Sequence, residues 1–170
     1  RADVAGALPQ ALQALGAETR VLLPGFAPIL AGLAAPREVA RLHPPGAMAQ
    51  ASVRLLHGRL AAVGVDAYVI DAPGYYHRAG GPYADTARQP YADNHLLFAL
   101  LGWVAAELAQ GLDAAWQPDV VHAHDWHAGL APAYLQAAAT AQPRLPGCVF
   151  TVHNLAYQGM FSRSAFDELG

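Results

Sequence analysis

The sequence predicts an α/β fold, an open and mostly parallel sheet with helices on both faces. Three observations carry that prediction. Segments with apolar residues at helical spacing alternate with short apolar runs of strand length. The first helical segment runs almost directly into the first strand, as the αβ half of such a unit does. Polar clusters at 71–85, 122–127 and 153–159 all follow predicted strands, where open α/β sheets collect their ligands. A chain of 170 residues suits one domain and is long enough to bury a core.

The elements follow in chain order. Residues 3–15 carry apolar side chains at helical spacing, with Asp3 at the N-cap position, Pro9 as a possible kink and Gly16 as a stop. Thr19–Leu23 is a short apolar strand closed by Pro24-Gly25. Residues 26–50, rich in Pro, Ala and Gly, read as irregular. Ala51–Leu56 and Leu60–Val63 read as a hairpin around His57-Gly58-Arg59. Val65–Ile70 is a buried strand ending at Asp71, and 72–94 is a long polar loop of the kind that is often functional. Residues 95–110 form the clearest helix, with Leu96, Leu97, Leu100, Leu101, Val104 and Leu108 on one broad face. Asp119–His122 is a strand, 127–139 a helix, Val149–Val152 a strand, and 162–170 the start of a further helix.

Composition excludes several classes. With 54% hydrophobic and 14% charged residues the chain is no disordered or fibrous protein. The net charge is −3 and no basic patch stands out, which argues against nucleic acid as a partner. All the basic residues are Arg, so no lysine of this chain can hold a phosphate or act in catalysis. Cys148 is the one cysteine, so an internal disulfide and Cys-rich zinc patterns are out of reach, and a reducing, cytoplasmic setting is expected. Asn94 and Glu107 interrupt the longest apolar run, so no membrane span is expected. The chain lacks an initiator Met and opens inside a helical pattern, so it is expected to be a piece of something longer.

Three clusters can carry chemistry. In His122-Ala123-His124-Asp125-Trp126-His127, three imidazoles and a carboxylate suit Zn²⁺, and His122 and His124 share one side of an extended strand. The order departs from the hydrolase pattern H-x-H-x-D-H, and no H-E-x-x-H is present. The same residues also suit a polar substrate, with Asp125 accepting hydroxyl hydrogen bonds, or a simple helix cap at Asp125. In the second cluster, Thr151–Gly159, His153 directly follows an apolar strand and can face substrate, while Asn154 and Gly159 also fit an ordinary turn. The third, residues 71–85, offers Tyr75, Tyr76, His77, Arg78, Tyr83 and Asp85, which suit a sugar or a packed loop alike. No P-loop, no G-x-S-x-G and no dinucleotide fingerprint occurs.

Taken together, several segments resemble one family. They are Ala2–Pro9, Asp71-Ala72-Pro73, Gly81-Pro82-Tyr83, Phe98–Trp103, Pro118–Leu130 and Phe150–Gly159. In this order they resemble bacterial glycogen synthases and plant starch synthases nearly end to end. The pieces His-Ala-His-Asp-Trp-His and Thr-Val-His-Asn-Leu-Ala-Tyr-Gln-Gly are the most specific.

The resemblance implies a GT-B architecture of two Rossmann-like domains. This chain would be most of the N-terminal, acceptor-side domain (residues 1–170), without the C-terminal nucleotide-binding domain. It implies retaining transfer of glucose from ADP-glucose to the non-reducing end of an α-1,4-glucan such as glycogen, with no metal and no other cofactor. By position it implies that His153 and Asp125 are catalytic and that Asp3, Tyr83 and Asn154 bind substrate. The chain begins just after the family's first strand and its Lys-x-Gly-Gly loop. That strand is central in such a sheet, so two unpaired edges are expected. The isolated chain is then expected to be inactive. Two other readings stand beside this one: a metal-dependent hydrolase using His122, His124 and His127, and a non-catalytic glucan-binding fragment.

Overall fold

The computed structural model describes residues 2–139 and 145–170, the first four of these by backbone only. The elements are α1 (Ala2–Ala14), β1 (Arg20–Pro24), α2 (Ala27–Ala31), β2 (Leu33–Leu42), a 3-10 turn (Gly46–Met48), β3 (Val53–Leu60) and β4 (Val65–Asp71). They continue with α3 (Pro73–Tyr76), α4 (Asn94–Ala109), β5 (Val120–His124), α5 (Asp125–Ala128), α6 (Leu130–Ala138), β6 (Gly147–Thr151) and α7 (Arg163–Phe166). The helix of residues 3–15 is present. Asp3, however, lies in its first turn rather than at its cap, and its side chain lies outside the described residues.

The strands form two sheets. One has the order β1-β4-β3-β2, and the other pairs β5 with β6. The β1–β4 and β5–β6 pairs are parallel, whereas β4–β3 and β3–β2 are antiparallel. The α/β alternation thus holds, in a mixed rather than mostly parallel arrangement. Among the described residues β1, β2, β5 and β6 each have one strand neighbour.

Helix α4 joins the two sheets. It is apolar nearly all round, which marks a buried helix. Leu97, Leu100 and Val104 pack with Leu55, Tyr68 and Ile70 of the larger sheet, while Trp126 and Leu130 pack onto the same cluster from beyond β5. Alternate residues of β4 face opposite ways, as a strand requires. Tyr68 and Ile70 join the α4 side, and Ala67 and Val69 join Ile29 and Leu30 of α2 on the other. Helices therefore cover both faces. Truncating a side chain such as Leu100, which is fully buried, costs about 2–5 kcal/mol.

Two expectations need correction. The hairpin around His57-Gly58-Arg59 is instead one continuous strand, β3, and the turn to β4 comes after Leu60. Gly58 is not a turn residue. A Cβ there would come within 2.7 Å of the Ala34 carbonyl, so its role is close approach to β2. Residues 26–50 are not irregular either, because they hold α2 and the ten-residue β2. Most of β2 is exposed at the sheet edge, with Pro36 and two register shifts along it, and so has no burial period to betray it.

Candidate active site

Strand β5 carries two of the histidines. His122 and His124 lie two residues apart, so they share a face. Their rings stack with centroids 4.1 Å apart. The parallel register sets His124 opposite Thr151 of β6, and the Thr151 hydroxyl lies 2.7 Å from His122 Nε2. His153, just past β6, turns its ring back so that Nε2 sits 3.0 Å from His124 Nδ1. Burial lowers the His124 pKa below the usual histidine value, and the neighbouring His122 and His153 lower it further.

Asp125 opens α5 with a left-handed backbone, φ 56°, an uncommon conformation that Asp tolerates better than most residues. Its carboxylate is not the helix cap expected from the sequence. His124 occupies the N-cap position, with no side-chain hydrogen bond there. The buried Asp125 Oδ1 instead accepts the backbone N–H of His153 at 2.8 Å. The unusual φ directs the side chain across to the β6 loop, and that contact accounts for a conformation that otherwise costs energy.

The long loop after β4 meets this cluster from the other side. It is ordered by its own contacts: Arg78 makes two 2.6 Å hydrogen bonds to the carboxylate of Asp93. The Asn94 amide donates to the Tyr83 carbonyl at 2.8 Å, fixing the loop to the start of α4. Tyr83 is thereby presented to α5, its hydroxyl 2.9 Å from His127 Nε2 and its ring near Phe98 and Trp126. It stays about half exposed, at 45%.

The loop after His153 folds back over Trp126. The Asn154 side chain accepts the Ala156 N–H at 2.9 Å, a local turn. Gly159 has φ 60°, and a Cβ there would fall 2.1 Å from the Trp126 ring. Only glycine lets this loop lie flat on the indole. Beyond Trp126 lies an apolar groove of about 470 Å³, lined among others by Phe98, Val152, Tyr157 and Phe161. Tyr83, His124 and His153 are not among its walls, so the polar cluster is a separate feature.

The fold thus brings Asp125 and His153 into direct contact and sets Tyr83 against the same short helix. Asn154 adjoins them but spends its side-chain oxygen on the turn. Asp3 lies outside the described side chains. The three histidines of the zinc reading are split, because His127 turns to Tyr83 while His122 and His124 face β6. No group of three or more potential ligands among the described residues could hold a metal ion. Trp126, Thr151 and Gly159 were not singled out as site residues. They stand inside the recognised segments, but only packing reveals their roles.

Comparison with known proteins gives a consistent result. The starch synthase catalytic domain family matches residues 2–170. Glycogen synthase from Leptothrix cholodnii is 66% identical over 171 residues, which cover 99% of this chain and 35% of that protein. Glycogen synthase from Variovorax paradoxus is 59% identical, covering 99% of this chain and 34% of that protein. Among solved structures, the catalytic domain of Starch Synthase IV from Arabidopsis thaliana, bound to ADP and acarbose, superposes with a TM-score of 0.78. It is 22% identical and covers 99% of this chain and 33% of that one, a likeness of fold. The chain spans about a third of the length of the relatives it matches.

Proposed function

Because this chain belongs to the starch synthase catalytic domain family, we propose that it forms the acceptor-side part of a glycogen or starch synthase. The reaction is retaining transfer of glucose from ADP-glucose to the non-reducing end of an α-1,4-glucan. The observation that carries this reading is the convergence of the loops after β4 and β6 on the end of β5 and on α5, through Tyr83 with His127, and through His153 with His124 and Asp125. The glycogen synthases at 66% and 59% identity support the activity. The Arabidopsis structure holds ADP, the group that leaves when ADP-glucose gives up its glucose. The same reading carries the cytoplasmic setting expected from the sequence.

In this reading the chain contributes positioning and charge. As the glycosidic bond to the diphosphate breaks, negative charge grows on the leaving group and positive charge on the sugar. His153 contacts the donor glucose near the reacting carbon. Asp125 holds the backbone of His153 through its N–H, and its negative charge favours the developing oxocarbenium character. Tyr83 shapes the acceptor subsite, and Asn154 and Asp3 are assigned to substrate binding by their positions in the family match. A glucan ring can lie on the exposed part of the Tyr83 ring, with hydroxyls at its rim. Contacts to the nucleotide would come from the rest of the longer polypeptide, so the isolated chain has little or no transferase activity.

The test is incorporation of labelled glucose into glycogen by the longer polypeptide that carries this segment. ADP-glucose and UDP-glucose are offered in parallel, with and without EDTA, beside His153→Ala. Transfer from ADP-glucose that persists in EDTA and collapses in the variant is the expected result. No transfer, transfer abolished by EDTA, or an active His153→Ala enzyme would overturn the assignment.

A further inference from the structure

His153 is held at two separate points. Its backbone N–H is fixed by Asp125, which sets where the loop runs. Its ring makes a different contact, Nε2 to His124 Nδ1 at 3.0 Å, with the two rings within 15° of parallel. The first contact holds the backbone and the second holds the ring.

A hydrogen bond between two imidazole nitrogens holds a single proton. One nitrogen donates and the other accepts, so two doubly protonated rings cannot make it. If His153 Nε2 donates, its Nδ1 is left as an acceptor. If His124 Nδ1 donates, His153 carries its proton on Nδ1 and presents a donor there. The state of His124 therefore decides what His153 offers to a sugar hydroxyl or oxygen. His124 is itself confined, with the His122 ring stacked on it at 4.1 Å and His122 pinned by the Thr151 hydroxyl at 2.7 Å. Burial and the two neighbouring imidazoles both disfavour a charge on His124.

We propose that His124 is a positioning residue: through its Nδ1 it fixes the ring orientation and the proton tautomer of His153. This rests on the reading of His153 as the group that meets the donor sugar. His122 and Thr151 complete the chain by holding His124 in register.

The test uses two variants of the longer polypeptide. His124→Phe keeps a ring against His122 and removes the nitrogen. His124→Asn keeps a hydrogen-bonding atom close to the place of Nδ1. The expected result is a kcat for His124→Phe lower by roughly tenfold to a hundredfold with a near-normal KM for the donor, since misorientation of a reacting group is costly. His124→Asn recovers a substantial part of that loss. Nitrogen-15 NMR of the His153 ring shows one tautomer in the parent and a mixture in the Phe variant. A Phe variant with parental kcat and an unchanged His153 spectrum overturns the proposal. If the Phe variant does not fold, His124→Asn decides: a His153 spectrum of mixed tautomers with parental kcat overturns it too. Should the parent itself transfer no glucose, the functional reading fails, and the spectra still decide whether His124 sets the His153 tautomer.

Discussion

Asp125 Oδ1 accepts the backbone N–H of His153 at 2.8 Å and so ties the first residue of α5 to the loop after β6. The two residues are 28 positions apart, and the contact spans both strands of the smaller sheet. A buried carboxylate that meets a backbone donor cannot be removed cheaply. Asp125→Ala leaves that N–H without its acceptor and is expected to cost about 1–3 kcal/mol of stability. Asp125→Asn keeps an acceptor oxygen and tolerates the same left-handed backbone, so it costs less. Thermal unfolding of the two variants checks the order. Equal losses would mean that the hydrogen bond to His153 is not what holds the loop.

Gly159 tests the packing of the same loop from its far end. Gly159→Ala places a methyl group against the Trp126 indole at a position with φ 60°. The expected loss is about 1–3 kcal/mol, from overpacking and backbone strain together. A lowered melting temperature with a shifted tryptophan fluorescence maximum is the signature. An unchanged melting temperature would show that the loop can lift off Trp126 without penalty.

Tyr83 separates the hydroxyl from the ring. Tyr83→Phe removes the hydroxyl that meets His127 Nε2 but keeps the ring near Phe98 and Trp126. Because Tyr83 is half exposed, the expected change in stability is about 1 kcal/mol or less. In the proposed synthase the acceptor KM should rise while the donor KM stays close to the parental value. A rise in donor KM alone would move Tyr83 out of the acceptor subsite.

The Arg78–Asp93 pair gives a pH-dependent prediction. Hydrogen bonds from the Arg78 guanidinium hold the Asp93 carboxyl below the usual carboxylate pKa, against an opposing effect of burial. A depressed carboxyl stabilises the fold above its ordinary pKa of about 4 and loses that contribution as pH falls through its lower folded value. Arg78→Ala is therefore expected to lower the melting temperature at neutral pH, with a gap to the parent that closes in acid. Melting curves from pH 7 down to about pH 2 check this. A gap that stays constant with pH would show that Arg78 acts through packing on Tyr75 and Tyr91 rather than through its charge.

Much of the candidate site's make-up is legible in the sequence. The segments around Asp125 and His153 lie just after apolar runs, and alternation with helices places such loops at one end of a sheet. The structure confirms that the loops meet, through His124 and His153 and through Tyr83 and His127. The role of Asp125 was not legible. A carboxylate ahead of Trp-His-Ala-Gly fits a helix cap, and local sequence contains nothing about a backbone N–H on another strand.

The sequence by itself determined what depends on neighbours along the chain. The spacing of Leu96, Leu97, Leu100 and Val104 specifies α4, and its nearly all-round apolar character fits the buried place it takes. The run Val65–Ile70 specifies β4 at the centre of its sheet. Tertiary structure alone decided what depends on partners remote in the chain. Strand β2 exists because β3 pairs with it, although its own side chains are mostly exposed and carry no period. Gly58 lies inside a strand rather than a turn, at a point where the Ala34 carbonyl passes where a side chain would be. The tilt of Asp125 toward His153 and the histidine contact at 3.0 Å follow from the parallel register of β5 and β6. Hydrophobic periodicity encodes which face of an element is buried. Which polar atoms then meet is set by register and backbone angle, and these are fixed only when the elements pack.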